Sequence, residues 1–113
     1  MLPKENRLKK NNDFQRVFKQ GKYLKGNFIN LKFIENNLPQ SRFVFIIGLK
    51  ISKKTVIRNK IRRRCFEVIK STFNQIKEGF DLVFLPTPEA VEKDYSETEK
   101  EINSLLKKAK LLK

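Results

Sequence analysis

The feature that most constrains the fold is a basic amphipathic stretch at residues 52–70, SKKTVIRNKIRRRCFEVIK. Its apolar side chains recur three or four positions apart, which is the spacing of one stripe along an α-helix. Most of its cations project away from that stripe. The stretch therefore predicts a helix that packs by one face and presents positive charge on the other. The stripe consists of Ile57, Ile61, Cys65, Val68 and, just beyond the stretch, Thr72.

The positive charge of this helix is dense and nearly free of acidic neighbours. Glu67 is the only acidic residue between Glu35 and Glu78. Like charges at this spacing repel one another, so they cost folding free energy unless an anion lies against them. Arginine predominates, and its planar guanidinium suits the paired oxygens of a phosphate. A solvated helix face is the alternative, but solvated faces normally mix both signs. The pattern favours a helix that binds a polyanion.

The chain as a whole shares this positive charge. It has 113 residues, with 26 basic against 12 acidic and a net charge of +14. We expect one domain, 1–113, long enough to bury a core of its own. A field of this size points to nucleic acid first and to an anionic membrane surface second. Membrane binding would need the apolar stripe of the basic helix free to enter lipid, whereas we assign that stripe to the core.

The residue types that build common catalytic and metal sites are scarce. Histidine is absent and Cys65 is the single cysteine, which excludes an internal disulfide and argues against a zinc site. A lone cysteine fits a reducing cytoplasm. We find no glycine-rich phosphate loop and no nucleophile beside a base, and neither a membrane-spanning run nor a secretory signal. We expect a cytoplasmic binding module with no catalytic residues, no metal ligands and no small-molecule substrate.

The first helix is predicted over residues 13–19, with Asn12 or Asp13 as its cap and Gly21 at its end. Phe14, Val17 and Phe18 fall on one face of it. Two interpretations of the phenylalanines stay open. They can be ordinary core residues, or, because basic residues surround them, they can stack on single-stranded nucleic acid.

Four strands and two more helices complete the prediction. After a brief strand at 22–24, residues 27–34 alternate apolar and polar side chains, as a half-buried strand does. Residues 42–51 are apolar at their start, and the short loop 35–41 predicts an antiparallel hairpin with 27–34. The basic helix is predicted over 55–77 with Thr55 as its cap. A buried strand at 80–86 would then lie parallel to 42–51, and a last helix begins near Asp94 or Ser96 with a capping box.

Three stretches together resemble the protein subunit of bacterial ribonuclease P. They are RLKKNNDFQRVFKQGK at 7–22, GLKISKKTVIRNKIRRR at 48–64, and FDLVFLPTPEA at 80–90, which leads into the final helix. The chain departs from the family pattern at several positions. Lys60 stands where a second arginine is usual, Phe66 stands where a basic residue is common, and Leu31 stands where an aromatic residue is frequent. The link between Lys54 and Arg58 is also shorter than usual and lacks the family's glycine.

The resemblance implies a fold and a function. The fold is an α+β two-layer sandwich, αβββαβα, with a four-stranded mixed sheet and a left-handed βαβ crossover. The function is to help ribonuclease P remove 5′ leaders from precursor tRNA by hydrolysis of one phosphodiester bond. In that one-to-one complex the RNA subunit contains the active site and binds most of the Mg²⁺. The protein binds the catalytic RNA and the leader of the precursor.

The resemblance also implies which residues do this. A cleft between the first helix and the sheet holds the leader, here through Phe14, Phe18 and Leu31. The catalytic RNA is bound through the basic helix and the residues before it: Lys53, Lys54, Arg58, Asn59, Lys60, Arg62 and Arg63. A structural RNA-binding protein of the ribosomal type, with no role toward a substrate, is the alternative that the charge pattern alone leaves open.

Overall fold

The structure is a computed structural model that describes residues 2–113. Four strands form one mixed sheet in the order β1-β2-β4-β3. Short 3₁₀ turns lie at Lys4–Asn6, Phe73–Gln75 and Pro88–Glu92. This is the α+β architecture that was predicted. The elements are α1 (Asn11–Gln20), β1 (Lys22–Leu24), β2 (Ile29–Glu35), β3 (Arg42–Phe45), α2 (Thr55–Thr72), β4 (Phe80–Pro86) and α3 (Tyr95–Lys108).

The predicted hairpin is wrong, because β4 lies between β2 and β3. β4 pairs antiparallel with β2 and parallel with β3, as in Ile34↔Asp81 and Arg42↔Asp81. β4 is apolar on both faces and almost fully buried, so it gains most from pairing along both of its edges. The connection between β2 and β3 passes over the start of β4. There the backbone N–H of Asn36 donates to the Gly79 carbonyl at 2.8 Å, and the side-chain amide of Asn36 donates to Asp81 Oδ1 at 2.9 Å.

The ends of the helices differ from the prediction in two places. α1 begins at Asn11 after Lys10, and neither Asn12 nor Asp13 caps it. α2 ends at Thr72 rather than at residue 77. The hydroxyls of Ser71 and Thr72 donate to the Val68 carbonyl at 2.8 and 3.0 Å, and such bonds compete with helix continuation. The following residues bond instead to the segment after α3, as in the bond from the Lys77 N–H to the Leu111 carbonyl at 2.7 Å.

One face of the sheet packs against α2 and α3 and forms the main core. Ile29, Leu31 and Phe33 of β2 point into it, as their alternation predicts. Leu31 is fully buried there, at 0% exposure, between Leu24 and Phe84 of the neighbouring strands. The prediction that Leu31 lines a cleft beside α1 is therefore wrong, because the pleat directs its side chain to the opposite face. α3 begins with the predicted capping box between Asp94 and Glu97.

The other face of the sheet is only partly covered. α1 packs on it through a smaller cluster whose buried members are Leu8, Val17 and Val83. Gly21 directly follows α1. A Cβ at this position would overlap the Val17 carbonyl oxygen and lie 2.9 Å from the Phe33 carbonyl oxygen, so glycine fits where a larger residue would clash. The rest of this face has no helix upon it, and its side chains remain open to solvent. Among residues 2–113 no helix is both long enough and apolar enough to cross a membrane.

A charged triad fastens α1 to the sheet. The Arg42 guanidinium makes a two-bond contact with the carboxylate of Asp81, at 2.8 and 2.7 Å. It also contacts Asp13 Oδ2 of α1 at 3.1 Å. The hydrogen bonds and charge of Asp81 raise the pKa of Arg42. Asp13 thus serves as an anchor between α1 and the sheet and not as a helix cap.

Candidate RNA interface

The outward face of α2 is a continuous basic surface. The helix buries Ile61, Cys65, Val68 and Ile69 against the sheet, and this leaves the opposite side free of packing contacts. Two lysines of the preceding loop are exposed beside its first turn. The residues exposed on this surface are Lys53, Lys54, Asn59, Lys60, Arg63 and Lys70, with Arg58 and Arg62 half-buried at its flank. The structure thus brings together the whole set predicted from the basic stretch.

The cations of this surface divide into two groups. Some bond within the chain: Arg62 donates to Asn59 Oδ1 at 2.9 Å, and Arg64 donates to the Lys93 carbonyl. Arg58 donates to the Ser52 carbonyl at 2.8 Å and to Thr55 Oγ1 at 3.1 Å. The remainder are Lys53, Lys54, Lys60, Arg63 and Lys70, whose side chains have no hydrogen bond or ion pair with any described residue.

The charge of α2 is not neutralised by the rest of the chain. Within residues 2–113, the four ion pairs join Arg42 to Asp13 and Asp81, Lys93 to Glu97, and Lys113 to Glu78, and none includes a residue of α2. An uncompensated cationic surface attracts anions and is stabilised when they bind. Phosphates spaced along a nucleic-acid backbone match a row of such cations.

A second candidate site is the open groove between α1 and the sheet. Phe18 of α1 is 38% exposed and Tyr23 of β1 is 51% exposed. The Lys32 ammonium lies 5.0 Å from the centroid of the Phe18 ring and 5.9 Å from that of Tyr23. The three side chains form one cluster of two aromatic rings around a cation, which we call the Lys32 cluster. Both rings can interact with a base, and the ammonium can interact with a phosphate.

Further partly exposed side chains lie on the same face of the sheet as Lys32. Asn30 and Leu85 are paired across β2 and β4, and Ile46, just after β3, is 38% exposed. Phe14 contributes less, because it is half-buried against the cluster of Leu8 and Val17. Phe14 and Phe18 both lie on α1, and Phe18 is the more accessible ring.

Sequence reasoning missed Lys32 and Tyr23 as members of this groove. The signal was present in the alternation of β2, which places Lys32 on the face opposite Leu31. Tyr23 then follows from the pairing of Tyr23 with Lys32 across β1 and β2. The pairing of β1 with β2 was not part of the prediction, so this neighbourhood could not be found from the alternation alone.

The buried cysteine and the acidic residues are the groups relevant to a catalytic or metal site in residues 2–113. Burial raises the pKa of the Cys65 thiol to about 12, so this thiol stays protonated and unreactive at neutral pH. In the described part of the chain, no group of three or more His, Cys, Asp or Glu residues could hold a metal ion. Residues 2–113 therefore do not fit a protein-borne Mg²⁺ site.

Comparison with known proteins shows similarity in sequence and in fold. Residues 2–110 match the model of the Ribonuclease P family. The ribonuclease P protein component of Natranaerobius thermophilus is 37% identical over 105 residues, which cover 93% of this chain and 90% of the relative. That of Pseudanabaena sp. is 31% identical over 113 residues, covering 99% and 97%.

Two solved structures extend the comparison to the fold. The RNase P protein of Staphylococcus aureus superposes with a TM-score of 0.87 at 26% identity, covering 96% of this chain and 98% of that one. The RNase P protein of Thermotoga maritima gives a TM-score of 0.82 at 28% identity, with coverage of 90% and 96%. Since the match extends over nearly the full length in both sequence and fold, this chain belongs to the family of ribonuclease P protein components, each of which is part of an endoribonuclease.

Proposed function

We propose that the chain is the protein subunit of a ribonuclease P holoenzyme, which processes precursor tRNA in the cytoplasm. It binds one catalytic RNA and the single-stranded 5′ leader of the precursor, and it thereby assists endonucleolytic removal of that leader. The RNA subunit contains the active site and holds the Mg²⁺. No residue of this chain takes part in the bond-breaking step.

The basic surface of α2 supports the contact with the catalytic RNA. Its free cations have no partner among residues 2–113, so phosphates can bind without breaking an ion pair there. Contacts of this kind position an RNA without reading its sequence. The residues that we propose for this contact are Lys53, Lys54, Asn59, Lys60, Arg62 and Arg63, together with Arg58 in the first turn of α2.

The Lys32 cluster is the observation on which the substrate role rests. A structural RNA-binding protein needs only a basic surface, whereas this groove adds exposed rings to a cation on the far side of the sheet from α2. Rings and cations in a groove suit a single strand, because every base has a face that can stack. We propose that Phe18, Tyr23 and Lys32 contact the leader and that Phe14 supports Phe18 from below.

The net charge explains how the subunit would help. Two RNA molecules that approach each other repel through their phosphates. A compact domain with a net charge of +14 and basic side chains on two sides lowers that repulsion when it lies between them. The benefit should be largest where Mg²⁺ is scarce, because less of the phosphate charge is then screened.

A reconstitution tests this function. Purified protein is mixed with the cognate catalytic RNA and precursor tRNA at low Mg²⁺ and moderate salt, and release of the 5′ leader is followed. We expect cleavage to require both the protein and the RNA under these conditions. Binding of the RNA without stimulation of cleavage would instead identify a structural RNA-binding protein. Pelleting with anionic vesicles at physiological salt would identify the membrane-binding alternative.

A further inference from the structure

α2 has a groove that extends beyond the residues assigned to the catalytic RNA. It has a volume of about 400 Å³ and is lined by Asn59, Arg62, Arg63, Phe66, Glu67 and Lys70. Phe66 is half-buried in its wall and is the only aromatic residue of the lining. We call this feature the Phe66 groove.

The Phe66 ring is held by other aromatic rings of the core. Its centroid lies 5.0 Å from that of Phe45, and the two ring planes meet at 77°. Phe45 in turn stacks on Phe84 at 5.1 Å with an angle of 19° between planes. Edge-to-face and stacked pairs of this kind are the favoured aromatic geometries. Phe66 therefore lies in a fixed place in the groove, and a ligand would not have to order it.

The polar side chains around the groove are mainly cationic. The lining contains three cations, Arg62, Arg63 and Lys70, and one acidic residue, Glu67. Arg63 and Lys70 are exposed and have no hydrogen bond or ion pair with any described residue. Arg62 is oriented by its bond to Asn59 Oδ1 at 2.9 Å. An aromatic side chain surrounded by unpaired cations matches a ligand that has both a flat ring and a phosphate.

We propose that the Phe66 groove binds one unpaired nucleotide of the catalytic RNA, with its base against Phe66 and its phosphate on Arg63 and Lys70. The nucleotide is unpaired because a base within a duplex exposes no face for stacking. The catalytic RNA is the source because four of the lining residues already belong to the basic surface of α2, whereas the Lys32 cluster lies on the other face of the sheet. This inference rests on the proposed function.

A tryptophan at position 66 provides a direct test. The chain has no tryptophan, so the Phe66→Trp variant contains a single fluorescent reporter in the groove. Titration with the catalytic RNA should quench its fluorescence by more than about half, as base stacking on an indole does. The matched control is Phe73→Trp, since Phe73 is also half-buried on an aromatic neighbour, Phe43 at 6.1 Å, but lies outside the groove. Equal quenching in both variants would overturn the proposal.

A second variant separates stacking from folding. Phe66→Leu retains apolar contact with Phe45 but removes the aromatic face. We expect its thermal transition to match that of the wild type measured alongside it, and its affinity for the catalytic RNA to be about tenfold weaker. Wild-type affinity in a folded Phe66→Leu variant would contradict the proposal.

A leader oligonucleotide alone distinguishes the two possible RNA sources. It should leave the fluorescence of the Phe66→Trp variant unchanged, and quenching by the leader in place of the catalytic RNA would overturn the assignment. The reconstitution with wild-type protein reports separately on the proposed function, because it measures cleavage, whereas the fluorescence measures occupancy of the groove.

Discussion

The Arg58 guanidinium donates a hydrogen bond to the backbone carbonyl of Ser52 at 2.8 Å and thereby ties α2 to the loop before it. A second bond reaches Thr55 Oγ1 at 3.1 Å, and the Lys54 N–H bonds to Ser52 Oγ at 3.1 Å. No side chain caps α2 at Lys54, so these contacts hold the turn that a cap would otherwise stabilise. They also orient Lys53 and Lys54 beside the basic surface. Arg58 is therefore a positioning residue.

Arg58→Lys should weaken binding to the catalytic RNA about fivefold although the charge is retained, because lysine cannot make both bonds of the fork. Arg63→Lys is the matched control, since exposed Arg63 has no partner among the described residues, and its effect should stay within about twofold. Equilibrium binding at fixed salt measures both. In a variant that already lacks Lys53 and Lys54, Arg58→Lys should have little further effect. An additive loss would show that Arg58 contacts the RNA directly.

Arg63→Ala should make the dependence of RNA affinity on salt shallower. If Arg63 neutralises one phosphate, the slope of log affinity against log salt should fall in magnitude by about one. Lys108→Ala removes an equally exposed cation at the end of α3 and should leave the slope unchanged. The same slope for Arg63→Ala and wild type would mean that Arg63 does not face RNA.

Phe18→Ala and Lys32→Ala should each weaken binding of precursor tRNA by the holoenzyme about fivefold or more, because each removes part of the Lys32 cluster. Mature tRNA lacks the leader, so its affinity should change little. Phe14→Ala together with Phe18→Ala should show the same selectivity with an added loss of stability, because Phe14 packs on Leu8 and Val17. Equal losses for both substrates would argue against a leader in this groove.

Arg42→Ala should lower the free energy of unfolding by about 3–5 kcal/mol, because it leaves the carboxylate of Asp81 buried without a counterion. The Asp81 side chain is 1% exposed, whereas that of Asp13 is 22% exposed. Asp13→Asn should therefore cost less, about 1 kcal/mol. Urea unfolding at constant anion concentration measures both. If Arg42→Ala does not fold, Arg42→Met with Asp81→Leu should recover stability, and a single Arg42→Ala variant as stable as wild type would contradict the assignment.

Cys65 should resist thiol reagents at pH 8 in the native protein and react at once in denaturant. It is fully buried, and burial raises its pKa from 9.0 to about 12. Because the folded-state pKa is raised, the thiol contributes stability that is complete below pH 9 and is lost as the pH rises toward 12. Rapid labelling without denaturant would show that the α2 packing opens more readily than its burial indicates.

The incorrect prediction of a hairpin between β2 and β3 shows what the local sequence pattern cannot predict. The alternation of β2 and the double-sided burial of β4 were both apparent from residue type. The order of the strands in the sheet was not apparent from residue type, because backbone hydrogen bonds are chemically alike in every strand. The choice was made by the burial of β4 and by the contacts of Asn36 across its start. The same reason explains Leu31: the alternation correctly placed it on one face with Ile29 and Phe33, but which helices cover that face was not predicted, so its assignment to the cleft beside α1 was wrong.

Residue types and spacings along the chain were enough to predict the existence of the helices, most of the core stripe of α2, the capping box at Asp94 and the segregation of positive charge, because each depends on residues a few positions apart. Packing in three dimensions selected the strand order, the meeting of Phe18, Lys32 and Tyr23 in one groove, and the internal hydrogen bonds of Arg58 and Arg42. These features depend on contacts between residues that are distant along the chain, or on acceptors that compete for the same hydrogen-bond donor. Periodicity specifies which face a side chain occupies, but only the packed chain specifies which groups lie opposite that face.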